Sequence, residues 1–155
     1  KASLHYHFAS KAELGEALVE RYAARFTEAL ERIDSASSGA GAKLDAYAAL
    51  YAGVLRGDRM CLCGMLAAEY QTLPPPMRDS VIRFFDHNLA WLAGVLADGR
   101  AEGTLSFGGS PADAAQTVLG ALQGAMLVAR PYGEVARFEA AARHTLAALS
   151  STTAA

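Results

Sequence analysis

The chain has 155 residues, 52% of them hydrophobic, which is enough for one domain with its own buried core. A formal net charge of −2 argues against a surface that is basic throughout, so any contact with nucleic acid would have to be local. Two cysteines are too few for a disulfide framework, and no apolar run reaches the roughly 18 residues of a membrane span, so the sequence predicts a cytoplasmic protein.

A long amphipathic helix is predicted for residues 10–33. Ser10 and Glu13 form a capping-box pattern, in which the hydroxyl accepts a hydrogen bond from the Glu13 amide and the carboxylate accepts one from the Ser10 amide. Apolar residues recur every three or four positions, as on one buried helix face. They are Leu14, Leu18, Tyr22, Phe26, Leu30 and Ile33. Residues 34–42 are rich in Gly and Ser and are predicted to form a loop.

Five further helices are predicted, and no segment shows the strict alternation of a β-strand. Their predicted ranges are 43–56, 61–72, 77–102, 110–130 and 134–149. The prolines after Leu73 end the second of these five helices, because proline lacks the amide and disfavours helical geometry in the residue before it. Three residues agree on the start of the predicted helix 110–130: Ser110 as its N-cap, Pro111 at its first position and Asp113 in its first turn. The sequence therefore predicts an all-α fold.

The residues before Ser10 are predicted to form a short helix, in which Leu4 and Phe8 face inward because they are spaced four apart. The other side chains can donate hydrogen bonds, and no acidic residue precedes Glu13, so this surface suits phosphates and base edges. A short helix, a brief break and a capped second helix fit the last part of a helix-turn-helix domain.

The segment KASLHYHFASKAEL, residues 1–14, closely resembles the recognition helix of TetR-family transcriptional repressors and the start of their next helix. The segments CLCGMLAAEY, EGTLSF and ALQGAMLVAR resemble branches of that family whose second domain binds small molecules or reacts with electrophiles. The resemblance implies a TetR-like fold. Residues 1–33 would be the end of the helix-turn-helix DNA-binding domain with its connecting helix, and residues 34–155 the effector-binding and dimerisation domain. Because family members begin with two further helices, it also implies that an N-terminal portion precedes this chain and is needed for operator binding.

The resemblance also assigns residues to double-stranded operator DNA. Tyr6, His7 and Lys11 match family positions that meet phosphates, whereas Lys1, Ser3 and His5 match positions that face the major groove. Two such helices must lie about 34 Å apart to reach successive major grooves, which implies a homodimer. Small residues of the last two helices are the predicted dimer surface, with ordinary packing inside one chain as the alternative. They are Gly120, Ala121, Gly124, Ala140, Ala141, Thr145 and Ala148.

The middle helices carry aromatic, thioether and hydrogen-bonding side chains in the mixture that is typical of small-molecule cavities. The predicted effector-pocket residues are Tyr47, Tyr51, Met65, Tyr70, Phe84, His87, Asn88, Trp91 and Gln123. Two of them, His87 and Asn88, interrupt an apolar pattern, and a buried His or Asn needs a ligand, a neighbour or water as its partner. A solvent-facing pair is the alternative interpretation.

Cys61 and Cys63 are roughly 200° apart around a helix, which argues against a shared metal ion or an easy disulfide, and no metal or cofactor is predicted. Cys61 is a candidate thiol sensor, because the dipole at a helix start favours thiolate, while an inert buried thiol is the alternative. No motif orients a nucleophile with a base, so no enzyme is predicted.

The sequence thus predicts a DNA-binding repressor that is controlled by a small hydrophobic or electrophilic effector. Two alternatives are a thiol-based electrophile or redox sensor of the same family acting through Cys61, and a helical bundle protein that does not bind DNA.

Overall fold

A computed structural model describes residues 8–150, which form an all-α bundle, as predicted. Its helices are α1 (Lys11–Ala36), α2 (Ala40–Arg56), α3 (Leu62–Ala68), α4 (Pro75–Ala101), α5 (Pro111–Ala129) and α6 (Val135–Ala147). Short 3-10 helices cover Tyr70–Thr72 and Arg130–Tyr132. Within residues 8–150 no helix is long and apolar enough to cross a membrane.

Side-chain caps fix where the helices begin. Ser110 and Asp113 form a complete capping box at the start of α5, where each side chain accepts a hydrogen bond from the other residue's amide at 3.1 Å. At α1 the Ser10 hydroxyl accepts from the Glu13 amide as predicted, also at 3.1 Å. The Glu13 carboxylate, however, accepts from the Ala9 amide at 2.7 Å and not from the predicted amide of Ser10.

The loop predicted for residues 34–42 is only three residues long in the structure, since α1 continues to Ala36 and α2 begins at Ala40, so its predicted bounds are wrong. Asp34 stabilises this helical ending: its carboxylate accepts from the Lys43 ammonium at 2.7 Å and from the Trp91 indole at 2.9 Å. The Lys43 and Trp91 hydrogen bonds hold the pKa of Asp34 below its ordinary value. Only residues 37–39 connect the helices, and Gly39 adopts a φ of 86°, which favours glycine.

An aromatic cluster forms the centre of the bundle. Phe26 of α1 and Phe84 of α4 meet edge to face, with ring centroids 5.2 Å apart, and Tyr47 and Tyr51 of α2 meet at 5.3 Å. Trp91 stacks on Tyr47 at 5.4 Å. Edge-to-face and offset contacts are the favoured arrangements of aromatic rings, and each adds to the gain from burial. The cluster joins α1, α2 and α4 into one core.

Candidate functional site

A cavity of about 540 Å³ opens between the first half of α1, the short helix α3 and the start of α4. Most of the side chains around it are apolar, and in the part of the chain that the structure describes its only charged lining residues are Arg21 and Arg25. The remaining lining residues are Gly15, Leu18, Val19, Tyr22, Leu62, Leu66 and Met77. Its volume lies within the range that holds small organic ligands in proteins.

The position of Leu18 shows why sequence analysis missed this cavity. Its spacing places Leu18 on the predicted buried face of α1, yet the side chain is 53% exposed and lines the cavity. Val19, its neighbour, is 1% exposed and is the residue of this turn that packs into the core. The periodicity of α1 predicted which residues form its apolar face, but not which of them pack into the core and which line a cavity. None of the nine predicted pocket residues lines this cavity.

A second site, which is polar and closed to solvent, contains four of the predicted pocket residues: Tyr47, Tyr51, Phe84 and Asn88. The Tyr47 hydroxyl donates to Asn88 Oδ1 at 3.0 Å, and Asn88 Nδ2 donates to the Phe84 carbonyl at 2.8 Å. The hydroxyl oxygens of Tyr51 and Tyr47 are 3.1 Å apart, so Tyr51 donates when Tyr47 donates to Asn88. Burial raises the pKa of both hydroxyls well above the ordinary value, so both stay protonated.

The other predicted pocket residues are dispersed. His87 is exposed, because one residue along a helix turns a side chain by about 100° away from buried Asn88. Met65 is 46% exposed. Tyr70 is half-buried, with the Arg78 guanidinium 5.3 Å from its ring centre. The role of these residues in effector binding stays a prediction.

The thiols lie inside the core, beside the cavity wall. Cys61 and Cys63 are both 0% exposed, and burial raises the pKa of Cys63, which keeps that thiol protonated. The Cys61 sulfur accepts from the Gly64 amide at 3.5 Å. A sensor role for Cys61 stays a prediction. Across residues 8–150 no three His, Cys, Asp or Glu side chains are grouped as metal ligands would be.

Two buried polar atoms lie near Cys61: Gln123 Nε2, which forms no hydrogen bond within residues 8–150, and the Tyr22 hydroxyl oxygen, which lies against the Cys61 thiol and the Leu62 backbone. Burial is the main cause that raises the pKa of Tyr22, and the neighbouring thiols of Cys61 and Cys63 raise it further. Helices α3 and α5 approach closely here: if Gly64 had a Cβ, that atom would lie 2.4 Å from Gln123 Oε1. Gln123 is therefore a predicted pocket residue that the structure places beside the Cys61 turn, where its amide nitrogen has no partner.

The predicted DNA-contacting residues Lys1, Ser3, His5, Tyr6 and His7, and Leu4 beside them, lie outside the described residues. Lys11 is exposed in the first turn of α1, and Phe8 is half-buried. These positions leave the DNA contacts as a prediction.

The predicted dimer residues lie mostly on the surface of α5 and α6. Ala121 and Thr145 are half-buried, whereas the other five are exposed. Larger apolar side chains continue this surface, since Leu127, Val128 and Tyr132 are 57%, 65% and 58% exposed. We call these three residues the apolar patch.

Comparisons with known proteins assign this helical domain to a class of transcriptional regulators. The family model described as "Tetracyclin repressor-like, C-terminal domain" matches residues 40–145. The chain belongs to the TetR family of transcriptional regulators. No curated protein matches the chain.

Three solved structures illustrate the similarity. A TetR-family transcriptional regulator from Agrobacterium tumefaciens is 31% identical, with a TM-score of 0.94, over 97% of this chain and 80% of that chain. The reduced form of E. coli NemR is 28% identical, with a TM-score of 0.82, over 99% of this chain and 82% of that chain. The regulatory protein TetR from Rhodobacter sphaeroides is 25% identical, with a TM-score of 0.87, over 96% of this chain and 81% of that chain.

Proposed function

We propose that this chain is the regulatory part of a dimeric DNA-binding repressor, and that a small molecule bound in the α1–α3–α4 cavity lowers its affinity for operator DNA. The observation that carries the proposal is the continuity of α1. This helix of 26 residues has Lys11 in its first turn and cavity-lining residues from Gly15 to Arg25. The predicted DNA contact and the cavity are thus parts of one rigid element.

Coupling through α1 requires two states of the protein. A ligand that fills the cavity shifts the balance only if it binds better to the state in which the recognition helices are wrongly placed for successive grooves. A tilt of α1 would change both the cavity walls and the position of Lys11. Family membership supports this assignment, and effector control is the part that experiments must test.

We expect Lys11→Ala to weaken DNA binding by the full-length gene product on all sequences alike. Lys11 is exposed and is assigned to a phosphate, and phosphate contacts set affinity without reading bases. Loss of one contact should reduce the slope of log K against log salt by about 0.9. Fluorescence anisotropy with an operator selected from random DNA, over a salt series, measures both effects. Arg32→Ala, an exposed residue near the other end of α1, is the control, and equal slopes for the two variants would refute the assignment.

We expect Val128→Arg to convert the protein from dimer to monomer. Val128 is 65% exposed within the apolar patch, and a charge buried there without a partner is costly at a symmetric interface. Sedimentation velocity at micromolar concentration measures the oligomeric state. Ile82→Arg, at an apolar position of α4 that is 44% exposed, should leave the dimer intact. A monomeric unmodified protein, or dimers for both variants, would contradict the proposed interface.

A further inference from the structure

Two arginines at the cavity have no partner within residues 8–150. Arg21 and Arg25 are both exposed on α1. Neither forms an ion pair or a hydrogen bond with a described residue. The nearest acidic residues along the helix are engaged elsewhere, since Glu20 lies 4.0 Å from Arg83 and Glu28 lies 4.0 Å from Arg32. Both guanidinium groups therefore lie at the cavity without a partner among the described residues.

The spacing of the two arginines concentrates positive charge at one place. Residues four apart are neighbours on a helix surface, and like charges at this spacing repel each other and destabilise the helix. Among residues 8–150 no acidic side chain lines the cavity, and the other lining residues bear no charge. An anion placed between the guanidinium groups would relieve the repulsion, and nothing else along the cavity wall would repel it.

We propose that the cavity binds an amphipathic carboxylate, a molecule with one anionic group and an apolar chain. The apolar chain contacts Leu18, Leu62 and Leu66, while Arg21 and Arg25 bind the carboxylate. A guanidinium donates two parallel hydrogen bonds to a carboxylate, which a neutral hydroxyl cannot match. Naming this ligand the effector rests on the proposed function, whereas the binding site itself does not.

A single molecule fits this site better than a lipid surface does. The cavity is partly open, and its apolar walls come from α1, α3 and α4, so one apolar ligand chain can contact all three helices at once. Contact with three helices buries apolar area of the ligand, and this burial is the main source of affinity for its apolar chain. The charged groups then select which polar head the ligand carries.

Isothermal titration calorimetry with sodium decanoate tests the proposal on the chain itself. We expect saturable binding of one decanoate per chain, and at least about tenfold weaker binding of 1-decanol and of decyltrimethylammonium, because hydrogen bonds to charged groups are the stronger class. Replacing both arginines, Arg21→Gln with Arg25→Gln, should remove the preference for decanoate over decanol. Arg32→Gln on the same helix is the matched control and should bind decanoate like the unmodified chain.

Three results would overturn the proposal: no saturable binding of decanoate, equal affinity for decanoate and decanol, or an unchanged preference in the double variant. Co-sedimentation with phosphatidylglycerol vesicles in the absence of saturable decanoate binding would assign the arginines to a lipid surface instead. The titration requires no DNA. Decanoate binding without any effect on DNA affinity would therefore refute the effector role alone, and DNA regulation without decanoate binding would refute the ligand class alone.

Discussion

Asn88→Ala should lower the free energy of unfolding by about 2–4 kcal/mol, because it removes a buried acceptor and leaves a small cavity. Asn88 is 0% exposed, and its side chain joins the Tyr47 hydroxyl to the Phe84 carbonyl. Without it, the hydroxyls of Tyr47 and Tyr51 have two hydrogens to donate but only each other to accept, so one donor is left unpaired. Urea unfolding followed by circular dichroism measures the loss.

The adjacent exposed residue supplies the control for this effect. His87→Ala should change stability by less than about 0.5 kcal/mol, as is usual for surface substitutions. Tyr47→Phe should reduce the penalty of Asn88→Ala, because the Tyr47 hydroxyl that donates to Asn88 is then already removed, and the coupling between the two substitutions should be about 1 kcal/mol. Equal losses for His87→Ala and Asn88→Ala, or strict additivity with Tyr47→Phe, would contradict the hydrogen-bond chain.

Gly99→Ala should destabilise the protein by about 1–3 kcal/mol even though alanine is the better helix former. A Cβ at Gly99 would lie 2.5 Å from the Ala40 Cβ and 2.5 Å from Leu105 Cδ1. Ala40 is the first residue of α2, and its Cβ is bonded to the backbone and cannot move aside. The end of α4 would therefore have to move away from α2. Thermal and urea unfolding of the variant measure this cost.

Gly94→Ala on the same helix is the matched comparison and should have the opposite sign. Gly94 is exposed, and nothing lies within 4 Å of the Cβ it would gain. The substitution should therefore stabilise the protein by about 0.5–1 kcal/mol, through helix propensity alone. A neutral or stabilising Gly99→Ala would show that α2 and α4 do not depend on this close contact.

Local signals were enough to predict most of the helices. Ser110, Pro111 and Asp113 act within one turn, so the start of α5 could be located without knowing any other part of the fold. The end of α1 could not, because Asp34 is held by Trp91, which lies 57 residues away in the sequence. The composition of this segment therefore predicted a loop at the end of α1, where hydrogen bonds from Trp91 and Lys43 to Asp34 stabilise the helix.

His87 and Asn88, the two polar residues within the apolar pattern of α4, were also only partly predictable from the sequence. The pattern singled out His87 and Asn88 together, and a buried Asn88 does have the partners that its burial requires. Asn88 lies four residues from Phe84 and four from Leu92, which are both buried, so the spacing favours Asn88 as the buried residue, whereas the partner of its amide depends on where α2 lies. The cavity depends on the same kind of long-range placement, since Leu18 and Leu62 meet only after α1 and α3 have packed.

One operator titration tests most directly whether the cavity and the DNA-binding end of the protein are coupled through α1. Operator affinity of the full-length gene product is measured by fluorescence anisotropy with and without decanoate at a concentration that calorimetry shows to be saturating. We predict weaker operator binding with decanoate present and, by reciprocity, decanoate affinity reduced by the same factor when operator is bound. An operator affinity that does not change while the cavity is occupied would contradict this coupling.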